Sequence, residues 1–193
     1  MEGQAVSDVK PLSLSMNARR LLVVEKRRLT VFVVGEPRKA SKSGATIPLP
    51  GKWEAEHALE TAFGTFVVCG RAAGKPGVME VNRRGDVRRV CGRQCTGVPC
   101  YLSTFDPDEA DLLVADSASH RVVVLSSQLE VVRVFLDRER DGVLRPRRVV
   151  KSGYFLVGHA DDRGSGVVSL FWPQKSTLQP IPETPTSDQM IGL

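Results

Sequence analysis

Short apolar runs, each about four or five residues long, recur along this chain at a nearly constant interval. Clusters rich in Gly, Pro, Asp and Arg separate them. Leu21-Leu22-Val23-Val24-Glu25, Thr65-Phe66-Val67-Val68-Cys69, Leu112-Leu113-Val114-Ala115-Asp116 and Phe155-Leu156-Val157-Gly158-His159 occupy equivalent places. Val24, Val68, Val114 and Val157 stand 44, 46 and 43 residues apart. Runs this short and this β-branched predict strands. A period in the forties predicts an array of small antiparallel sheets that bury their faces only against one another, which is the spacing of a β-propeller blade.

The pattern divides the chain into a lead at 1–10, four units at about 11–49, 50–92, 97–136 and 145–181, and a Pro- and Thr-rich tail at 182–193 with the composition of a disordered segment. The third unit predicts strands at 100–105, 112–115, 121–125 and 130–135, with Asp106-Pro107-Asp108 as a turn. The first predicts 12–16, 21–25, 29–34 and 45–49. The second predicts 65–68, 78–81 and 87–90, with Arg83-Arg84-Gly85-Asp86 as a hairpin turn. Its innermost strand would fall at 54–61, where Ala, Glu, His and Leu stand in a helix-compatible order. The fourth predicts 147–151, 154–157 and 167–171, with 177–181 as a closing strand. The expected fold is therefore all-β, a propeller or propeller fragment of about four four-stranded blades.

Composition adds limits. Hydrophobic residues make up 41% and charged residues 25%, which suits a globular domain. No apolar run approaches the roughly 20 residues that a membrane-spanning helix needs. Glu2 and Asp8 stand where a secretory leader would be basic and then apolar, so the expected address is cytoplasmic. Four cysteines in 193 residues are too few for a disulfide scaffold, so free thiols are expected. A net charge of +5 permits an acidic partner without requiring one.

The third unit carries a family resemblance. Asp111-Leu112-Leu113-Val114-Ala115-Asp116-Ser117-Ala118-Ser119-His120-Arg121-Val122-Val123-Val124, followed by Asp141-Gly142-Val143-Leu144-Arg145-Pro146, resembles the NHL repeat. That repeat runs from an apolar strand ending in Ala-Asp-Ser, through a short turn to Arg and a β-branched strand, to a Gly and Pro lead-in. Glu25-Lys26-Arg27-Arg28 and Gly70-Arg71 replace the Asp and Arg in the first two units. The resemblance implies a propeller similar to the C-terminal substrate-binding domain of tripartite-motif (TRIM-NHL) ubiquitin ligases, which usually has six blades. It also implies a structural part for Asp116, Arg121 and Pro146. Asp116 would accept turn N–H groups and pair with Arg121.

Catalytic signatures are absent from the sequence. His57, His120 and His159 lie in different units, and no nucleophile elbow, zincin helix or phosphate-cradling Gly loop occurs. Cys91, Cys95 and Cys100 have C-x3-C-x4-C spacing and would need a fourth ligand such as Cys69 to hold zinc, so no metal or other cofactor is assigned. The loops hold more. In an up-and-down blade, the second-to-third-strand links and the blade-to-blade links emerge on one face. That face would carry Lys26, Arg27, Arg28, Arg71, Lys75, Arg93, His120, Arg121, Arg138, Arg140, Arg145 and Arg163, with Arg83 and Arg84 opposite. The reading is a non-catalytic binding module that takes a protein partner or selects a ligase substrate. Ubiquitin-ligase activity would need an upstream RING domain or a partner chain. Single-stranded RNA binding through the basic face is the alternative. An open arc of blades would also expose edges and self-associate.

Overall fold

The computed structural model describes residues 13–14, 20–33, 45–91, 97–105 and 111–172. Among these, the chain forms four antiparallel sheets, each a meander with strands in chain order. Sheet 1 holds β1 (Ser13–Leu14), β2 (Arg20–Glu25), β3 (Arg28–Val33) and β4 (Ala45–Pro48). Sheet 2 holds β5 (Trp53–Glu60), β6 (Phe66–Ala72), β7 (Lys75–Val81) and β8 (Val87–Val90). Sheet 3 holds β9 (Pro99–Thr104), β10 (Leu112–Asp116), β11 (Arg121–Leu125) and β12 (Val131–Asp137). A single helical turn, α1 (Arg138–Asp141), leads to sheet 4 with β13 (Leu144–Ser152), β14 (Tyr154–Ala160) and β15 (Gly166–Phe171). The closing strand expected at 177–181 and the tail at 182–193 lie outside the described residues.

The innermost strand expected at 54–61 is present as Trp53–Glu60, paired antiparallel with β6 despite its helix-forming composition. Packing against a neighbouring sheet overrides a propensity difference of only a few tenths of a kcal/mol per residue. The helical turn α1 was not anticipated. Asp137 caps it by accepting from the Arg140 N–H at 2.7 Å, and Gly142 ends it in the left-handed region at φ 69°.

The core consists of three layers between consecutive sheets. Leu22, Val24, Leu29 and Ile47 of sheet 1 meet Ala58, Phe66, Val68 and Met79 of sheet 2. From the other face of sheet 2, Val67, Cys69 and Val78 meet Leu102, Val114, Val123 and Leu125 of sheet 3. Leu113, Ala115, Val122 and Val124 then meet Val149, Phe155 and Val157 of sheet 4. Odd and even positions of one strand thus serve different layers, as the period of two requires. Each fully buried Val, Leu or Phe contributes about 1.5–3 kcal/mol of transfer free energy.

Sheet corners are held by charge. Asp116 and Arg121 end β10 and open β11 as a cross-strand pair. Asp116 is 3% exposed, and its Oδ2 accepts from Arg121 Nε at 3.1 Å. Its Oδ1 accepts the Ser119 N–H at 3.4 Å, and the Ser117 N–H reaches Val98 O at 3.1 Å. Gly97 abuts the same carboxylate so closely that a Cβ there would overlap it. In sheet 1 the corresponding pair is Glu25 with Arg28, which joins the ends of β2 and β3 through a 2.7 Å bond from Arg28 Nη2 to Glu25 Oε1. Arg28 holds the Glu25 carboxyl below its ordinary pKa, chiefly by this hydrogen bonding.

Asp116→Ala is expected to cost about 1–3 kcal/mol, because a part-buried turn N–H and a half-buried guanidinium lose their acceptor. Adding Arg121→Ala should cost less than the sum of the two single losses. Gly97→Ala should destabilise through the same carboxylate. Urea denaturation of the four variants checks this, and an Asp116→Ala transition at the wild-type midpoint would refute it.

Candidate functional site

The innermost strands of sheets 2, 3 and 4 each carry a β-bulge at an equivalent height. In β5, Ala55 opposes Gly70 and His57 opposes Cys69, which leaves Glu56 as the extra residue. In β9, Tyr101 opposes Ala115 and Pro99 opposes Asp116, which leaves Cys100. In β13, Leu144 opposes Ala160 and Arg148 opposes Gly158, so the bulge spans Arg145-Pro146-Arg147. Pro146 has no N–H to give to a ladder, so a bulge is where the strand can hold it. Opposite the first bulge only Gly fits, since a Cβ at Gly70 would run into the Glu54 carbonyl.

These bulges line one cleft of about 440 Å3, walled by Glu56, Cys100, Arg145 and Arg147 together with Arg71 and His120. Val98 and Ala118 add apolar surface. His120 and Arg145 both have left-handed backbones, at φ 53° and 44°. Neither is glycine, so both conformations carry strain. They are joined, because the Arg145 N–H donates to His120 Nδ1 at 3.0 Å. A neutral ring that accepts at Nδ1 carries its proton on Nε2. The Cys100 thiol lies 3.3 Å from Pro146 O and 3.4 Å from Ala115 O, tying the β13 bulge to sheet 3. Burial pushes this thiol up to about 11, so it is a hydrogen-bond donor rather than a thiolate nucleophile at neutral pH.

Next to the β5 bulge, His57 is 2% exposed and lies against Tyr101 with ring centroids 4.0 Å apart and planes tilted by 34°. Its Nδ1 accepts the Leu102 N–H at 3.3 Å, which joins sheet 2 to sheet 3. Burial, with a smaller contribution from Arg148, pushes the imidazole down to about 4.

The cations of the sequence-predicted face are not equivalent. Lys26 pairs with Glu54 at 3.1 Å, Arg28 with Glu25, Arg71 with Glu56 at 2.9 Å and Arg140 with Asp141 at 2.9 Å. Arg27, Lys75, Arg138 and Arg163 are exposed, and Arg93 lies outside the described residues. Of the candidate residues, Arg71 and His120 come together in the cleft with Arg145. Glu56, Val98 and Arg147 complete it and were not singled out from sequence, together with Cys100, which the sequence marked only for its cysteine spacing. The proline inside a strand-like run, Arg145-Pro146-Arg147, was the available signal.

The cysteines also divide. Cys91 is disulfide-bonded, so the free-thiol expectation fails there, whereas Cys69 and Cys100 are free thiols. Cys95 lies outside the described residues. Among the described residues no group of three or more His, Cys, Asp or Glu side chains is placed to hold a metal ion.

No protein-family model matches the sequence, and no curated protein matches it. Solved structures do. The Neurospora crassa Pan2 WD40 domain aligns with a TM-score of 0.59 at 13% identity, over 89% of this chain and 48% of that one. A chain of the Nidogen/Laminin complex aligns with a TM-score of 0.58 at 17% identity, over 88% and 65%. Virginiamycin B lyase from Staphylococcus aureus aligns with a TM-score of 0.58 at 10% identity, over 89% and 58%. The chain spans less than two thirds of each of these proteins. At such identities the likeness shows the fold alone, a β-propeller architecture, and enzymes stand among the neighbours beside binding domains.

The buried imidazole generates a pH dependence with a definite sign. The unfolded chain takes up a proton on His57 near pH 6.5, whereas the folded state resists it until about 4. Its stabilising contribution is therefore complete above about pH 6.5 and is lost progressively as pH falls toward 4, by at most about 3 kcal/mol. His57→Asn keeps an acceptor for the Leu102 N–H and removes the titration. Denaturation midpoints from pH 7 to 4 should fall more steeply in the wild type than in this variant, and parallel curves would refute the assignment.

Proposed function

We propose that this chain is a non-catalytic, NHL-like propeller module that binds a protein partner through the face carrying the cleft. The observation that carries this reading is the convergence of three inner-strand bulges on one site. Bulges re-aim side chains and concentrate beside functional sites, and here they present Glu56, Cys100 and the Arg145-Pro146-Arg147 segment together. The groups gathered suit recognition better than chemistry: a protonated thiol, an ion-paired carboxylate, guanidinium groups and an imidazole whose Nδ1 is engaged by a backbone N–H.

The NHL resemblance of 111–146 adds a context, substrate selection within a tripartite-motif ubiquitin ligase, in which a RING-bearing segment or partner chain supplies the ligase activity. A protein ligand is favoured over single-stranded RNA. Lys26, Arg28, Arg71 and Arg140 already have carboxylate partners, which lowers their attraction for phosphate.

The immobilised chain, challenged with cell extract, should retain a reproducible set of proteins. An Arg71→Glu/Arg147→Glu variant should lose them, while Arg84→Glu on the opposite face should keep them. Equal retention by all three would refute a cleft-face interface. RNA is tested separately with labelled oligouridine at low salt. Tight binding, with a log-affinity against log-salt slope that flattens by up to about 2 when Lys26, Arg27 and Arg28 all become Ala, would replace the protein reading with the RNA one.

A further inference from the structure

We infer that the cleft recognises an acidic segment of the partner protein, with Arg145 and Arg147 taking a carboxylate side chain and Val98 and Ala118 covering an adjacent apolar residue. This rests on the binding-module reading and names the chemistry of its ligand.

Charge is the first support. Three arginines, Arg71, Arg145 and Arg147, line the cleft with one acidic residue, Glu56, whose carboxylate is engaged by Arg71 at 2.9 Å. Arg145 and Arg147 form no ion pair among the described residues. The cleft therefore keeps an excess of positive charge, and a planar guanidinium fork matches a carboxylate in two parallel hydrogen bonds.

Rigidity is the second. The Arg145-Pro146-Arg147 bulge is fastened from two sides, by the Arg145 N–H on His120 Nδ1 at 3.0 Å and by the Cys100 thiol 3.3 Å from Pro146 O. Pro146 itself fixes φ. Arginine backbones held in this way lose less entropy when a ligand arrives, and a strained Arg145 backbone at φ 44° is the kind of outlier that binding sites retain.

Shape and lining choose the source of the anion. A cleft of about 440 Å3 is the size of a ligand pocket, so it receives a few residues of an extended segment rather than the surface of a folded domain. Val98 is 43% exposed and offers an apolar contact beside the arginines. Among the described residues no Phe, Tyr or Trp lines the cleft to stack a base, and Glu56, engaged by Arg71, can still accept a peptide N–H.

The test uses the full chain and fluorescein-labelled hexapeptides in which Glu-Leu or Asp-Leu pairs are compared with Lys-Leu counterparts, read by fluorescence anisotropy at low salt. Acidic peptides should bind at least about tenfold more tightly than their lysine counterparts, the factor that one charge-assisted hydrogen bond supplies. Arg147→Glu should remove that preference, Arg147→Gln should weaken acidic binding while leaving the fold intact by circular dichroism, and Arg84→Glu should change nothing. Equal binding of acidic and basic peptides, an unchanged preference in Arg147→Gln, or oligouridine binding tighter than the best acidic peptide would each overturn the inference. If the peptides fail while the Arg71→Glu/Arg147→Glu variant still loses its captured proteins, the carboxylate assignment alone falls. If that loss is also missing, the module reading falls with it.

Discussion

Burial of each sheet against the next is the constraint on which the rest of this structure depends. A four-stranded sheet of short strands has too little area to stand alone in water, and it becomes stable only when its faces are covered. The central strands record this. β10 is buried at every position, with Leu112 and Val114 turned to sheet 2 and Leu113 and Ala115 turned to sheet 4. β6 is buried from Phe66 to Gly70 between sheets 1 and 3. A strand covered on both faces reads as a continuous apolar run instead of an alternating one, which is why the repeat is visible at all. Sheet 4 shows the converse: with only one face packed on a described sheet, β15 leaves Val168 70% and Leu170 51% exposed.

The same packing explains the site. Because the faces of β5, β9 and β13 are committed to neighbouring sheets, an inserted residue cannot be absorbed by sliding the strand, since a shift of one position would turn every apolar side chain to the wrong layer. The insertion is confined to a bulge. Three such bulges at one height, in three neighbouring strands, then build a cleft out of positions that the core does not use. His57 and Leu102, which lie next to the first two bulges in sequence, join sheets 2 and 3 by a hydrogen bond.

Legibility in the sequence follows from the same physics. The central strands were legible because burial on both sides makes them apolar throughout, and the Arg83-Arg84-Gly85-Asp86 turn was legible because Gly85 has to adopt φ 88°. β5 was placed at 54–61 with a helix-compatible composition, and its bulge is the reason for that ambiguity. Trp53, Ala55 and Ala58 all face sheet 1, at intervals of two and then three residues. The extra Glu56 turns a period of two into a spacing that mimics a helix, and Ala, Glu and Leu supply helix-forming composition besides. The cleft stayed hidden for a related reason: residues from three sheets meet there, and nothing in local sequence marks Glu56 or Cys100 as sharing a surface with Arg147.

The basic residues are not equivalent, because several of them have work in the fold. Arg121 holds the corner of sheet 3 and Arg28 that of sheet 1, while Arg140 closes the turn at α1 by reaching Phe135 O at 2.6 Å. A strand end brings turn N–H groups and cross-strand neighbours together, so a carboxylate and a guanidinium placed there satisfy each other, and their charge is largely spent locally. Arg145 and Arg147 differ in kind. They sit on a bulge rather than at a hairpin corner, their backbones are fixed by contacts with sheet 3 and its turn, and their guanidinium groups form no ion pair among the described residues. The charge that the fold leaves unused, held rigidly beside an apolar patch, is therefore the ground on which the proposed binding site rests.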